Sequence, residues 1–319
     1  MPICEADPWR LQYFENVACP PHVNIPTEDI DALDWNPRHR WIYDKVAVAR
    51  SQGIDAGPHG TAPLRFPTFS KPITNLRGMG IGSRVIRSAE EYAVALTRGH
   101  MWMTLLEGRH VSSDVAVVDG EPRWWRHVTG RPAGGGTFDS WIVHVDPDRK
   151  LEVCCGAWIR KHLTGYTGML NLETIGGSII EAHLRFSDQW PDLYGEGWIG
   201  ALVNLYHRRR WVFSDCARRD GYSLVLFGPH GQWYRRPPRE LIESCCNGRA
   251  FPVRKSRSMR TASRPSMRCR PAGFVWPSSI AGSLTRESSL VNASRNILVS
   301  ARSNIGSSNL HDERAQLLI

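Results

Sequence analysis

Glu173, Glu181, His183 and Arg185 fall within thirteen residues, in the stretch 169–194, MLNLETIGGSIIEAHLRFSDQWPDLY. Their surroundings are apolar: two short runs, Met169–Thr174 and Ser178–Leu184, flank Gly176-Gly177, a dipeptide suited to the positive φ angles of a tight hairpin turn. Strand side chains alternate between faces, so Glu181, His183 and Arg185 point the same way. Antiparallel pairing across the turn could bring Glu173 onto that face. Two carboxylates, an imidazole and a guanidinium would then meet on an otherwise apolar ribbon, where burying charge is costly unless something compensates. A divalent metal with bound phosphate would do so, since Mg²⁺ binds through one or two carboxylates plus substrate phosphates. A solvated charged face accounts for the same residues without chemistry, so supporting groups have to be sought elsewhere.

Two lysines and a glycine-rich loop are the candidates. In RFPTFSKPITNLRGMGIGS, Phe66–Ile73 reads as a strand with Lys71 inside it, and a loop with Gly78, Gly80, Gly82 and Ser83 follows. Such a pair can clamp a triphosphate: the ammonium acts as a point charge, and glycine lets backbone N–H groups approach the oxygens. Arg77, inside the loop, is a further cation that could help close it. Upstream, Trp41, Ile42, Val46 and Ala49 fall at helical spacing around Asp44-Lys45, with Gly53 as C-cap. A lysine on such a helix is, taken alone, more often a solvated residue.

The elements that must position these groups read as α+β. Residues 1–38 form an irregular arm with one short helix, Thr27–Leu33, capped by Thr27. Ser88–Arg98 is a capped helix with Glu91 at the capping-box position. A strand, a turn at Glu107-Gly108, a strand ending at Asp119-Gly120 and a return through Trp124-Trp125 follow. Arg131–Asp139 reads as a loop, Ser140–His144 as a strand, and Asp148–Leu163 as an amphipathic helix feeding the hairpin. Trp198–Tyr206 is a closing helix. Residues 211–246 read as a small β appendage: strand Tyr222–Phe227, turn Pro229–Gly231, return Trp233-Tyr234, helix Glu240–Ser244. It could cover the site or mediate a homodimer.

From Asn247 onward the chain carries 12 Lys/Arg against 3 Asp/Glu, which is the whole net charge of +9. The body is neutral, so the basic excess is no argument for a nucleic-acid partner. The tail 247–319 is rich in Arg, Ser and Pro and buries too little apolar surface to offset chain entropy, so disorder is expected, with a weak helix at His311–Leu318. Hydrophobic content of 41% and charge of 22% are those of a soluble globular protein. No apolar run approaches the ~20 residues of a membrane span, and MPICEADPWR lacks the pattern of a secretory signal. Eight cysteines without a CxxC pair read as reduced thiols, and the expected location is cytoplasmic.

In order and spacing these features resemble the ATP-grasp superfamily of carboxylate–amine ligases, over roughly residues 38–210. The family has an acidic residue on one strand and E-x-N-x-R on the next; here the second strand is Glu181-Ala-His183-Leu-Arg185. The resemblance implies two α+β lobes, 39–99 and 100–210, clasping ATP. Glu173 and Glu181 would hold Mg²⁺ (or Mn²⁺) between the phosphates, with His183 at the position of a further ligand. The family usually has Asn there, and imidazole is a poor Mg²⁺ ligand. Arg185 would steady the transferred phosphoryl group. Lys45 would reach a phosphate, Lys71 the α- and β-phosphates, with Arg77, Gly78 and Gly80 closing over them. Backbone at Met103, Thr104, Leu105 and Leu106 would bind adenine, Glu107 would read the ribose, and Asp188 and Gln189 would lie near the substrate. The implied reaction activates a small-molecule carboxylate as an acyl phosphate for attack by an amine. The alternative is a nucleotide-binding module without chemistry. The arm is shorter than the α/β substrate domain many members carry, so the expected acceptor platform is reduced or comes from another chain.

Overall fold

The structure is a computed structural model; it describes Phe14, residues 17–76, 82–134, 137–216 and 220–226, and the short strands 233–235, 266–268 and 274–275. Two large antiparallel sheets organise the described residues. The smaller is built from β1 (Ala56–Pro58), β2 (Thr68–Pro72), β3 (Arg84–Ile86) and β4 (His100–Thr104), in the order β1-β4-β2-β3. Alternation in β4 sends Met101 and Met103 to one face, packed with Val46, Ala49 and Ala56, and Trp102 to the other, packed with Ile86, Tyr92 and Ala95. A lobe boundary at 99/100 would give β4 to the large lobe; its hydrogen bonds instead make it an inner strand of the small sheet.

The members of the larger sheet are β5 (His110–Val118), β6 (Glu121–Gly134), β7 (Thr137–Val143), β8 (Gly168–Ile175), β9 (Ser178–His183), β10 (Gly221–Leu226) and β13 (Phe274–Val275). Their order is β13-β10-β7-β6-β5-β8-β9. Leu170, Leu172, Val115 and Val117 face one side, where a helix supplies Leu151, Trp158 and Ile159. Ala116, Met169, Trp124 and Val128 face the other, against Trp190, Trp198 and Leu202. The segment 131–139 is the end of a long hairpin; β6 and β7 continue through it to Gly134 and Thr137. Strand 221–226 is no separate appendage: it pairs with β7 and widens the sheet. The turn at Pro229–Gly231, the helices at Glu240–Ser244 and His311–Leu318, and most of 247–319 lie outside the described residues. Within that last segment, β12 (Ser266–Arg268) pairs with β11 (Trp233–Arg235), and β13 pairs with β10.

Five helices complete the described chain: α1 (Asp29–Trp35), α2 (Lys45–Ser51), α3 (Ala89–Ala95), α4 (Arg149–His162) and α5 (Trp198–Arg208). The α4 boundaries follow the sequence expectation, with Asp148 accepting from Leu151 N at 3.1 Å. Likewise Ser88 caps α3 through Glu91 N at 3.2 Å. The helical pattern from Trp41 to Ala49 breaks into two pieces: a 3-10 turn, Arg40–Tyr43, then α2, because Asp44 accepts from both Val46 N and Ala47 N and restarts the helix as an N-cap. At α1 the expected cap is displaced: the N-cap is Glu28, not Thr27, and it makes no side-chain cap bond.

Candidate functional site

The turn at Gly176-Gly177 (φ 58 and 90) is the expected two-residue hairpin turn. From it, Ile175 faces Ser178 and Thr174 faces Ile179, a register that would place Glu173 opposite Ile180 and send Glu181 to the other face. The register instead shifts by one residue beyond Thr174, and Glu173 pairs with Glu181. Ile180 is the extra residue of a β-bulge, a device that re-aims side chains near sites. The bulge, more than the turn, puts the two carboxylates side by side. The same face carries Asn171 and His183, which are register partners, and on β5 Ser112 and Asp114, the partners of Glu173 and Asn171.

Both lysines converge on β9. Lys45, the first residue of α2 and only 4% exposed, places Nζ 3.1 Å from Glu181 Oε1. Lys71, on β2, donates to the Ile180 carbonyl at 2.8 Å; it satisfies a backbone group at the bulge of an edge strand, where such groups otherwise lack ladder partners. Burial, only partly offset by Glu181, pushes the Lys71 ammonium down to about 8. Gln52 completes the cover of the edge: its side-chain amide donates to Ile179 O and accepts from Ile179 N, both at 2.8 Å.

Met103 lies inside β4 between two strands, and Thr104 N is taken by Asp55 O at 2.9 Å. Leu105, Leu106 and Glu107 make no backbone–backbone hydrogen bond among the described residues, which leaves amides and carbonyls for a ligand. Leu106 and Ile180 both pack against the cluster of Val46, Ala49, Ala56, Met101 and Met103. Glu107 is exposed, and its carbonyl lies 2.4 Å from where a Cβ on Gly176 would sit, so this segment rests directly on the hairpin tip. Arg77, Gly78 and Gly80 lie outside the described residues.

Asp29 is the acidic residue that the sequence did not single out. Its carboxylate, 4% exposed, accepts from Arg185 Nη2 at 2.7 Å, meets His183 Nδ1 at 3.0 Å and accepts from Tyr43 OH at 3.2 Å. Burial opposes its charge, but Arg185 and His183 outweigh that and hold it well below the usual carboxylate range. His183 also has Nε2 3.6 Å from Glu181 Oε1. Burial disfavours a charged ring, yet Asp29 and Glu181 hold the imidazole above its ordinary value. A second hub is Asp114, fully buried, which accepts from Asn171 Nδ2 at 2.7 Å, Tyr194 OH at 2.7 Å and Ser187 N at 2.9 Å. Burial pushes its carboxyl up to about 6 against those bonds. The signal for Asp114 was present as a lone carboxylate within the apolar run HVSSDVAVV. For Asp29 there was none, since acidic residues in a first helical turn are ordinary. Asp188 is buried, and Gln189 lends its carbonyl to Ser223 Oγ at 3.0 Å.

Glu181 engages Lys45 and His183 through Oε1, and Glu173 engages His110 through Oε2 at 3.1 Å. Each retains a second oxygen with no partner among the described residues. Two opposed carboxylates fit one Mg²⁺ whose other ligands are phosphate and water. His183 does not fit the set: Nδ1 is taken by Asp29 and Nε2 faces Glu181, and imidazole is a poor Mg²⁺ ligand. Among the described residues no three His, Cys, Asp or Glu side chains group as a metal site, and no helix is long and apolar enough to cross a membrane. A cleft of about 580 Å³ lies by Trp124, Trp125, Trp211 and Glu152, and none of Lys45, Lys71, Glu173, Glu181, His183 and Arg185 lines it.

No protein-family model matches the sequence, and no curated protein matches it. Solved structures do. N5-carboxyaminoimidazole ribonucleotide synthetase from Thermus thermophilus has a TM-score of 0.56 at 15% identity, over 95% of this chain and 86% of that one. L-amino acid ligase from Bacillus licheniformis has a TM-score of 0.52 at 12% identity, over 83% and 72%. N5-carboxyaminoimidazole synthase from Aspergillus clavatus, in complex with ADP and an aminoimidazole ribonucleotide, gives 0.52 at 12%, over 83% and 74%. At these identities the likeness is one of fold.

Proposed function

We propose, from the premise that this chain has the ATP-grasp fold, that it is an ATP- and Mg²⁺-dependent ligase activating a carboxylate for attack by an amine. The observation that carries the reading is the register pair Glu173–Glu181, with Lys45 and Lys71 arriving at the same strand from outside the large sheet. Phosphoryl transfer asks a protein mainly for positioning and charge neutralisation, and these are the groups for it. Mg²⁺, held by Glu173 and Glu181, would supply positive charge between the phosphate oxygens. Lys45 and Lys71 would hold the phosphates, Leu105–Glu107 would offer backbone to adenine, and Arg185 would steady the acyl phosphate. Arg77, Gly78 and Gly80 remain proposed as the loop over the phosphates. The names of the structural neighbours, a ligase, a synthetase and an ADP-bound synthase, support the reaction class; the acid and the amine are left to experiment.

Glu181→Gln keeps the shape but removes the charge that pairs Lys45 and would hold the metal. Calorimetry with ATP and Mg²⁺, followed by ADP-release assays over mixtures of carboxylates and amines, is the test. The expected outcome is binding and turnover in the native protein and at least about a hundredfold slower ADP release in the variant, in line with the loss of one charge-stabilising group. Unchanged turnover in the variant would sink the metal assignment. A second reading, a nucleotide-binding module without chemistry, is favoured by Asp29 standing on Arg185; nucleotide binding without ADP release in any mixture decides for it.

A further inference from the structure

Arg185 and Tyr43 each have a partner outside the N-terminal segment, and His183 is placed by its register in β9. Arg185 donates to Phe186 O at 3.2 Å, and Tyr43 OH accepts from Leu184 N at 3.1 Å. Their donors nevertheless converge on one carboxylate that belongs to another element, Asp29 at the start of α1. That carboxylate lies one imidazole away from Glu181, because His183 touches Asp29 with one ring nitrogen and approaches Glu181 with the other. Three convergent donors, one a guanidinium, are the chemistry by which proteins hold carboxylates and phosphates.

We propose that Arg185, His183 and Tyr43 form a seat for a carboxylate or acyl phosphate, and that Asp29 fills this seat as the chain's own stand-in. The proposal deepens the ligase reading and rests on it for the identity of the external anion. Asp29 can leave without α1 leaving. Displacement asks only the Asp29 side chain to turn away, while Ala32, one turn on and 0% exposed, keeps α1 in the core. An incoming acid therefore competes with Asp29, and the N-terminal segment sets how strongly the seat resists it.

Asp29→Ala empties the seat. Melting temperature and calorimetric binding are measured for this variant and the native protein with sodium acetate and with inorganic phosphate, against sodium chloride at equal ionic strength. The expected result is a saturable rise in melting temperature for Asp29→Ala, binding roughly tenfold or more tighter than in the native protein, and loss of both when Arg185→Met is added. No response beyond that to chloride, or an equal response in the native protein, overturns the proposal. Should Asp29→Ala fail to fold, Asp29→Asn keeps the shape and removes the charge. It is expected to bind inorganic phosphate more tightly than the native protein, and equal binding overturns the proposal. MgADP binding is followed on the same samples. Its absence from native protein and variants alike counts against the nucleotide reading, whereas the acetate response tests the seat alone.

Discussion

Lys71 donates to the Ile180 carbonyl at 2.8 Å from a position 6% exposed, so its charge is held in a place that disfavours it. The ammonium is pushed down to about 8, with burial the dominant cause. A phosphate ligand selects the charged form, so binding requires a proton that the free protein loses as pH rises through about 8. The affinity for MgADP is therefore expected to be flat below that value and to fall above it, by up to about tenfold per pH unit. Lys71→Arg stays charged throughout, and calorimetry between neutral and alkaline pH should show the fall removed. A parallel fall in the arginine variant would assign it to another group. At this scale the sequence was informative about residue type: Lys45, Lys71, Glu173 and Glu181 meet around β9. It was silent about Asp29, which lies 154 residues from the histidine it touches.

The hairpin β8–β9 works through two local devices, and only one was readable beforehand. The glycine pair marks the turn. The bulge at Ile180 leaves no composition signal, because an extra residue is specified by what receives the backbone around it, here Lys71 on the Ile180 carbonyl and Gln52 on the neighbouring Ile179. The two glycines also differ. A Cβ on Gly176 would lie 2.4 Å from Glu107 O, while one on Gly177 would meet nothing within 4 Å. Both residues are left-handed (φ 58 and 90), so alanine at either costs about 1–2 kcal/mol of backbone strain. Gly176→Ala should cost more and also push the Leu105–Glu107 segment, weakening MgADP binding. Gly177→Ala should lower stability and leave binding intact. Urea denaturation and calorimetry on the two variants check this, and equal effects on binding would remove the segment from the site.

Across the whole molecule, two buried carboxylates pull stability in opposite directions with pH. Asp29 is held below its ordinary range, so its contribution is present above the unfolded value of about 4 and is lost as pH falls below it. Asp114 is raised to about 6, so its contribution is full below about 4 and is lost as pH rises through about 6. Asp114→Asn should therefore gain stability relative to the native protein between pH ~4 and ~7, while Asp29→Asn should close its deficit toward lower pH. Urea melts from pH ~2 to ~7 test both signs, the Asp29 effect below ~4 and the Asp114 effect above it, and parallel curves for the two variants would contradict the assignment. Sequence alone determined the elements whose information is local. Caps at Ser88 and Asp148 and the turn at Gly176 set α3, α4 and the hairpin, because each depends on bonds within a few residues. It also set the ATP-grasp likeness, which is a matter of order along the chain. Tertiary structure decided what distant segments do to one another: β4 inside the small sheet, residues 221–226 as a strand of the large sheet, the bulge that turns Glu181 toward Glu173, and Asp29 on Arg185. Those outcomes follow from strand neighbours and from charges that need partners once water is excluded, and neither is written in any short stretch of residues.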